Sequence, residues 1–377
     1  MNLEATNQSM VDIVTADGYP IESYYTTTSD GYILNVFRIP RGKTGRNNNK
    51  VAFLQHGLLC SSIDWVIIGP EKALAYKLAD EGYDVWLGNA RGNIFSRNHT
   101  TLDPDKDNAK FWKFDWHEIG TTDIPQMIDF VLEKTGVERV YYAGHSQGTT
   151  SFYVMTSMRP EYNDKIMTHV SLAPIAFMSH MTSPLLKIIS VFQGPTSYVG
   201  RYCLSLVQKS SFQAKDFLAS VISETCNDDV GKIVCANTLF ILCGFSADEM
   251  NMTLLPTIMS HVPAGASTRQ ILHYTQEITS GHFCQYDLGL IGNQETYGSL
   301  TPPDYDLTKI TAPVHLIYGH NDWLAAVVDV NKLCNALPNC VDKLEVADKH
   351  FNHLDFLYGI NAPTLVYDHV IEIFSKY

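Results

Sequence analysis

The sequence predicts an α/β fold with a mostly parallel central sheet and helices on both faces. Short apolar runs typical of buried strands alternate with helical stretches up to about residue 178, and this alternation returns at Ala312. Within the first part, residues 140–150 (VYYAGHSQGTT) run from a strand through a turn into a helix. Strand–helix alternation of this kind favours right-handed crossovers between parallel strands.

The first predicted elements are a hairpin and two buried strands. Tyr24–Thr28 and Tyr32–Ile39 are rich in β-forming residues, and residues 29–31 (SDG) between them are a turn signal. Val51–Gln55 and Tyr83–Leu87 are short apolar runs, each followed by a loop that contains glycine. We therefore expect an antiparallel hairpin followed by buried strands of the sheet.

Helices are predicted around these strands. Glu71–Asp80, Trp116–Thr135 and Thr149–Met158 have helical patterning, and Thr364–Phe374 is the closing helix of the chain. Thr168–Ala173 (THVSLA) is a further strand. Helices that connect strands in this order cover the two faces of a parallel sheet.

The alternation stops near residue 178. Residues 179–303 are rich in Leu, Met, Phe, Tyr and Cys, have helical periodicity and contain five of the eight cysteines. We expect a helical cap or lid inserted into a core formed by residues 1–178 and 304–377, since long insertions above a catalytic site are usually lids or binding surfaces. A second structural layer without a gating role is the alternative.

Residues 144–148 (GHSQG) match the G-x-S-x-G pattern of a nucleophile elbow. The tight strand-to-helix turn exposes the side chain of Ser146, and the helix that follows offers free backbone N–H groups to a developing oxyanion. The pattern is short, so a chance match is the alternative. The flanking residues favour the functional interpretation because they predict the strand–turn–helix that the motif requires.

A second oxyanion donor is predicted after the strand Val51–Gln55. The sequence His56-Gly57-Leu58 follows this strand, where serine hydrolases of this architecture place the other donor. The backbone N–H groups of Leu58 and Gln147 would then bind the oxyanion. The alternative is an ordinary strand-to-loop turn, and Ser146 is the reason to prefer the functional one.

Two further residues are candidates for the acid and the base that activate Ser146. Asp322 follows the predicted strand Val314–Tyr318, and His353 follows the predicted strand Lys343–Val346. A serine hydroxyl needs a histidine base that a carboxylate orients, in the chain order Ser, acid, His. Because all of these residues follow strands, they would converge at the carboxyl edge of the sheet.

Other residues of the last segment compete for these roles. His350 is the strongest alternative base because it lies close to His353 in the sequence. Asp348 and Asp355 compete as the acid, although neither follows a strand of its own. Two more histidines of this segment are His320 and His369.

Composition and charge exclude several classes of protein. The net charge is −13 over 377 residues, which argues against nucleic acid as a partner. There is no C-x-x-C pair, so a zinc ribbon is not expected. The glycine-rich loop Gly88–Asn93 lacks the Lys-Ser/Thr of a P-loop and is interpreted as a tight turn near the rim of the active site. No run approaches the ~20 apolar residues of a transmembrane helix.

Cysteines and glycosylation sequons indicate an oxidising compartment. Cys226 and Cys235 enclose a short loop, as do Cys334 and Cys340, and either pair is close enough in sequence to be bridged. N-x-[ST] sequons occur at three candidate glycosylation sites, Asn7, Asn98 and Asn251. The N-terminus, MNLEATNQSM, has no apolar segment of a signal peptide, so we expect a mature secreted or lysosomal form.

Long motifs throughout the chain resemble the acid lipase family of α/β-hydrolases. The residues that carry the resemblance are LQHGLL at 54–59, ADEGYDVWLGNARGN at 79–93, MIDFVLEKTG at 127–136, GHSQGTT at 144–150, CANTLFILCGF at 235–245 and FNHLDF at 351–356. This resemblance implies an α/β-hydrolase fold. It also implies that Ser146 is the nucleophile, Asp322 the acid and His353 the base, with Leu58 and Gln147 as oxyanion donors.

The resemblance has further implications for bridges and substrate. It implies a disulfide between Cys226 and Cys235 with Cys243 as a nearby free thiol, whereas the pair Cys334 and Cys340 is outside the family pattern. Neutral lipid esters at a lipid–water interface are the implied partners, namely acylglycerols or cholesteryl esters, and no metal or organic cofactor is needed. A soluble carboxylesterase of short esters and a non-catalytic lipid carrier are the alternatives, and the presence of the whole predicted triad disfavours the carrier.

Overall fold

A computed structural model describes residues 9–191, 243–244, 246 and 248–377. The strands are Glu22–Thr27 (β1), Tyr32–Ile39 (β2), Val51–Gln55 (β3), Asp84–Gly88 (β4), Asn98–His99 (β5), Val140–His145 (β6), Ile166–Leu172 (β7), Val314–Tyr318 (β8) and Cys340–Glu345 (β9). They form one sheet in the order β1-β2-β4-β3-β6-β7-β8-β9, and β5 pairs with β2.

Most of the sheet is parallel. Strands β4, β3, β6, β7, β8 and β9 run in the same direction, whereas β2 is antiparallel to β1, β4 and β5. Strands β3, β6 and β8 are buried along their whole length. Such strands need cover on both faces, which the helices supply. The predicted α/β-hydrolase fold and its hairpin are confirmed.

The helices lie between and after these strands. They are Met10–Ala16, Leu74–Asp80, Asn108–Phe111, Trp116–Glu118, Ile124–Thr135, Gln147–Met158, Pro184–Val191, Leu255–His261, Thr268–Ser280, Gly289–Tyr297, Val327–Ala336, Asp355–Tyr358 and Asp368–Ser375, with short 3₁₀ turns at Ser62–Trp65, Pro160–Lys165 and Leu307–Lys309 and π turns at Ile119–Asp123 and Pro363–Tyr367. None of the helices in the described ranges is long and apolar enough to cross a membrane.

Several predicted boundaries differ from the structure, and three of the differences have a clear physical reason. The first predicted helix begins at Leu74 because Glu71 has φ +69°, which no right-handed helix contains. The predicted helix Trp116–Thr135 is interrupted by a π turn, where Gly120 packs so closely on the helix Gln147–Met158 that a Cβ would lie 2.6 Å from the Cβ of Val154. Strand β9 begins at Cys340 because its first residues are polar or exposed and carry no apolar signal.

The inserted segment has no strand of the central sheet among its described residues. Between β7 and β8 the structure describes four helices, of which Thr268–Ser280 packs on the core through Tyr274, whose hydroxyl lies 2.9 Å from that of Thr150. The helical character predicted for this segment is therefore present in its described part. The domain boundaries at residues 178 and 303 stay a prediction.

The disulfides and thiols are only partly described. Cys334 and Cys340 form a disulfide, a bridge that the sequence left open. Cys243 is a buried free thiol. The predicted bridge between Cys226 and Cys235, like the sequon at Asn7, lies outside the described residues. No cluster of three or more metal-ligating side chains is found in the part of the chain that the structure describes.

Candidate active site

Ser146 lies at the tip of a strained turn between β6 and the helix Gln147–Met158. Its backbone has φ 53° and ψ −118°, a conformation that is rare for a residue with a side chain. The turn requires glycine on both sides, because a Cβ on Gly144 would lie 2.8 Å from the carbonyl of Gly148. A Cβ on Gly148 would lie 2.3 Å from the carbonyl oxygen of Gln55. These contacts explain the spacing of the elbow motif.

The loop after β3 lies directly beside this turn. A Cβ built on Gly57 would lie 3.1 Å from the Cβ of Ser146, so a larger residue there would have to push the turn of Ser146 away by a few tenths of an ångström. Leu58 is the next residue, and Leu59 then takes φ +62°. Gln147 is the first residue of its helix, so its backbone N–H has no acceptor within the helix. The two predicted oxyanion donors therefore lie in the loop after β3 and at the first residue of the helix after Ser146.

Asp322 and His353 are hydrogen-bonded to each other. Nδ1 of His353 lies 2.8 Å from Oδ2 of Asp322, and both side chains are buried. The second carboxylate oxygen, Oδ1, accepts the backbone N–H groups of Leu324 and Ala325 at 2.9 and 2.8 Å. Because a carboxylate accepts, Nδ1 of His353 carries the hydrogen. The other ring nitrogen, Nε2, is buried and has no hydrogen-bond partner among the described residues.

The competing residues take other roles. The side chain of His350 is 80% exposed and faces Asp348 at 3.5 Å. Asp355 accepts the backbone N–H of Asn352 at 2.7 Å, and burial raises the pKa of its carboxyl to about 7. Neither aspartate is hydrogen-bonded to His353, so the structure pairs His353 with Asp322 alone among the candidate acids that it describes.

The elbow and the loop of His353 are joined by His145. Nε2 of His145 donates to the backbone carbonyl of His353 at 2.9 Å, and the two rings lie 4.9 Å apart. Burial, followed by the nearby charge of His353, holds the pKa of His145 well below its usual value, so its ring is neutral. This contact brings the residue before Ser146 against the backbone of His353, and the predicted residues thus share one edge of the sheet.

His56 supports the loop that carries Leu58. Nδ1 of His56 donates to the carbonyl of Gly57 at 2.8 Å, and Nε2 accepts the backbone N–H of Ala90 at 3.1 Å. The amide of Asn93 lies 3.2 Å from the same nitrogen. Burial lowers the pKa of His56 to about 4. The glycine-rich loop predicted to lie near the active-site rim therefore supplies hydrogen bonds that hold the neutral ring of His56.

Comparison with known proteins identifies the family. Residues 10–69 match a partial α/β-hydrolase lipase region, and residues 53–197 match the α/β hydrolase fold. The chain is 45% identical to lipase 3 of Drosophila melanogaster, over 96% of this chain and 91% of that protein. It is 38% identical to the human gastric triacylglycerol lipase, over 97% and 90%. The chain belongs to the acid lipase family of α/β-hydrolases.

Other relatives and solved structures agree with this assignment. This acid lipase family member is 37% identical to the human lysosomal acid lipase/cholesteryl ester hydrolase, over 99% of this chain and 92% of that protein. An epoxide hydrolase from Vigna radiata superposes with a TM-score of 0.54 at 15% identity, over 95% of this chain and 98% of that one. The low identity of the solved structure shows the fold alone. The relatives show a carboxylic ester hydrolase.

Replacing His56 by glutamine is expected to flatten the pH dependence of stability. Because the folded pKa of about 4 lies below the ordinary histidine value of about 6.5, the unfolded chain binds more protons between these limits. The stability that the neutral ring contributes is therefore present above pH 6.5 and is lost as the pH falls towards 4. We expect the slope of unfolding free energy to change by about 1.4 kcal/mol per pH unit.

Urea unfolding at pH 4.5, 5.5 and 6.5 measures this slope. Glutamine keeps an acceptor near the position of Nε2 and removes the titration, so His56→Gln serves the comparison better than a truncation. An unchanged slope in this variant would show that His56 gains a proton in the folded protein as readily as in the unfolded chain.

Three supporting residues are not predicted from the sequence. His145 and Asn93 lie inside recognised motifs, but their side chains have no assigned role in those patterns. Gln270 lies in the inserted segment and its amide oxygen accepts from Nε2 of Gln147 at 2.7 Å. No periodicity or motif connects Gln270 with the elbow, because the contact joins residues that are 123 positions apart.

Proposed function

We propose that this protein is a serine lipase that hydrolyses neutral lipid esters through an acyl-enzyme on Ser146. The observation that carries the proposal is the buried pair of His353 and Asp322 beside a strained serine turn, in a chain of the acid lipase family. Serine alone is a weak nucleophile, and this arrangement supplies the base and the carboxylate that orients it.

The first half of the reaction forms the acyl-enzyme. The hydroxyl of Ser146 loses its proton to Nε2 of His353 as its oxygen attacks the ester carbonyl. Asp322 accepts from Nδ1, which keeps the lone pair on Nε2 and stabilises the imidazolium that forms. The backbone N–H groups of Leu58 and Gln147 bind the oxyanion. The imidazolium then protonates the alcohol, which leaves as the C–O bond breaks.

The second half releases the fatty acid. Nε2 of His353 takes a proton from water, and the hydroxide attacks the carbonyl of the acyl-enzyme. The same two N–H groups bind the second oxyanion, and its collapse returns the proton from His353 to the oxygen of Ser146. No step in this sequence requires a metal or an organic cofactor.

Two observations support a lipid ester as the substrate. The relatives include a gastric triacylglycerol lipase and a lysosomal acid lipase/cholesteryl ester hydrolase, each matched over nearly the whole chain. The described part of the inserted segment also exposes four large apolar residues. Their exposed fractions are 37% for Leu288, 67% for Leu290, 75% for Ile291 and 58% for Leu300. Exposed apolar groups this close in sequence favour contact with an apolar surface.

The backbone at both ends of this group of four side chains is fixed by a buried asparagine. Asn293 is buried, accepts the backbone N–H of Leu288 at 2.9 Å and donates to the carbonyl of Leu300 at 3.0 Å. No lysine or arginine occurs from residue 270 to residue 308. An ordered apolar surface without cations suits a neutral lipid surface better than an anionic membrane.

Replacing Leu290 and Ile291 by serine is expected to weaken adsorption to triacylglycerol emulsions by about tenfold, because two apolar side chains lose their burial in lipid. Activity on a dissolved short ester should stay within twofold of wild type. The control is Val341→Ser, because Val341 is 47% exposed near the start of β9, which is an edge strand of the sheet and lies outside the inserted segment. Equal adsorption of all variants, measured by sedimenting the emulsion, would remove this support for an interfacial enzyme.

The substrate class is tested by comparing esters. Rates are measured on emulsified triacylglycerol, emulsified cholesteryl ester and a monomeric short-chain ester between pH 4 and pH 8. A lipase is expected to hydrolyse the emulsions faster than the dissolved ester. Faster hydrolysis of the dissolved ester would favour a soluble carboxylesterase, and no hydrolysis of any ester would favour a lipid carrier.

The remaining assignments belong to the same proposal. We propose that residues 179–303 form the cap of the active site and that the protein acts in a secretory or lysosomal compartment. Asn98 is exposed and Asn251 is half-buried, and both are proposed glycosylation sites. A disulfide engineered to lock the cap should abolish activity on emulsions, and undiminished activity would refute a gating role.

A further inference from the structure

One short segment of the insertion contacts both parts of the chain that carry the proposed oxyanion donors. The backbone N–H of Ala264 donates to the carbonyl of Leu59 at 2.6 Å, next to Leu58. The side chain of Gln270 accepts from that of Gln147 at 2.7 Å. The segment 264–270 therefore reaches the neighbour of one donor and the side chain of the other.

The hydrogen bond between the side chains of Gln147 and Gln270 is buried. Gln147 is 3% exposed and Gln270 is 2% exposed. Oε1 of Gln147 is buried and has no partner among the described residues. The side chain of Gln147 is therefore paired through Nε2, which donates to Gln270. Losing that bond would leave a whole buried amide unpaired, which costs far more than losing an exposed hydrogen bond.

The segment is itself fixed to the core. The backbone N–H of Ile94 donates to the carbonyl of Ala264 at 2.8 Å, and the hydroxyl of Ser267 donates to the carbonyl of Phe114. The hydroxyl of Tyr274, one turn after Gln270, lies 2.9 Å from that of Thr150 in the helix that begins at Gln147. Because the segment 264–270 is fixed at both ends, Gln270 can hold the side chain of Gln147 in a defined position.

We propose that Gln270 is a positioning residue of the oxyanion hole, an inference that rests on the proposed function of Ser146, Leu58 and Gln147. The two donors come from different segments, the loop after β3 and the start of the helix Gln147–Met158, and the oxyanion is stabilised only if both N–H groups point at the same oxygen. Gln270 fixes the first residue of the nucleophile helix against the segment that also holds Leu59. Gln270 would act through its hydrogen bond to the side chain of Gln147 and would take no part in the chemical steps.

Gln270→Met tests this inference, because methionine keeps the volume and removes the acceptor. We expect kcat on a dissolved short ester to fall about 10- to 100-fold with KM changed less than twofold, since a misplaced donor weakens the transition state and leaves substrate binding intact. The rate of inactivation by diethyl p-nitrophenyl phosphate should fall in parallel, because this reaction also develops an oxyanion. Gln270→Glu keeps an oxygen acceptor for Nε2 of Gln147 and should recover most of kcat.

A double-mutant cycle separates this role from a general loss of structure. Gln147→Met removes the same bond from the other side, so the double variant should lose no more kcat than either single variant. Additive losses, or a Gln270→Met enzyme within twofold of wild-type kcat, would overturn the inference. If Ser146→Ala retains activity, the proposed function itself fails, whereas a Ser146-dependent enzyme that is insensitive to Gln270 contradicts only the positioning role.

Discussion

Replacing Ser146 by alanine is expected to lower kcat on triacylglycerol by about 10⁵-fold, because we propose that the acyl-enzyme forms on this hydroxyl. The loss is expected to be this large because the base has nothing to deprotonate except water. Binding of the ester should change little, since the deleted oxygen is small. A pH-stat assay of fatty acid release from a triacylglycerol emulsion compares wild type with Ser146→Ala.

The matched control for this change is Ser151→Ala. Ser151 lies on the same helix, is 1% exposed, and its hydroxyl has no hydrogen-bond partner among the described residues. Removing this hydroxyl should therefore leave both stability and kcat near the wild-type values. If Ser146→Ala kept more than a few per cent of activity while remaining folded, an acyl-enzyme on Ser146 would be excluded.

The second large effect is expected at the base. His353→Ala should lower kcat by about 10⁵-fold, as great a loss as at Ser146, because the two residues act as one unit. The double variant His353→Ala with Ser146→Ala should then be no slower than either single variant. The removal also leaves the carboxylate of Asp322 buried without its imidazole partner, so we expect a lower melting temperature as well.

His350→Ala is the control for the base. His350 lies three positions before His353, but its side chain is mostly exposed and contacts Asp348. Its replacement should leave kcat within about twofold, as is usual for surface side chains outside an active site. A His350→Ala enzyme as slow as His353→Ala would reverse the two assignments and would require a different acid.

Local pattern predicts the elements that carry the site. The strand before Ser146, the glycines on either side of it and the helix after it are all visible in the sequence, because the strained turn restricts which residues fit. The chain order of nucleophile, acid and base is equally visible. The strong alternation of buried strands and helices also predicts the parallel sheet.

Contacts between distant segments are not predictable in the same way. The sequence leaves Asp348 and Asp355 as rivals of Asp322, since both lie within a few residues of His353 in the chain. The structure separates them, because Asp355 accepts the N–H of Asn352 within its own loop and only Asp322 lies at hydrogen-bonding distance from the ring of His353. Asp322 and His353 meet because they follow neighbouring parallel strands, β8 and β9, and no local pattern encodes this pairing.

The sequence by itself determined the fold class and the strained elbow and predicted the residue types of the proposed triad, because each depends on short-range steric and chemical requirements. Only the tertiary structure decided how the supporting residues act. The hydrogen bonds of His56 to Ala90, of His145 to the backbone of His353 and of Gln147 to Gln270 join separate segments. Burial then makes each of these bonds costly to lose, and burial is a property of the packed chain as a whole.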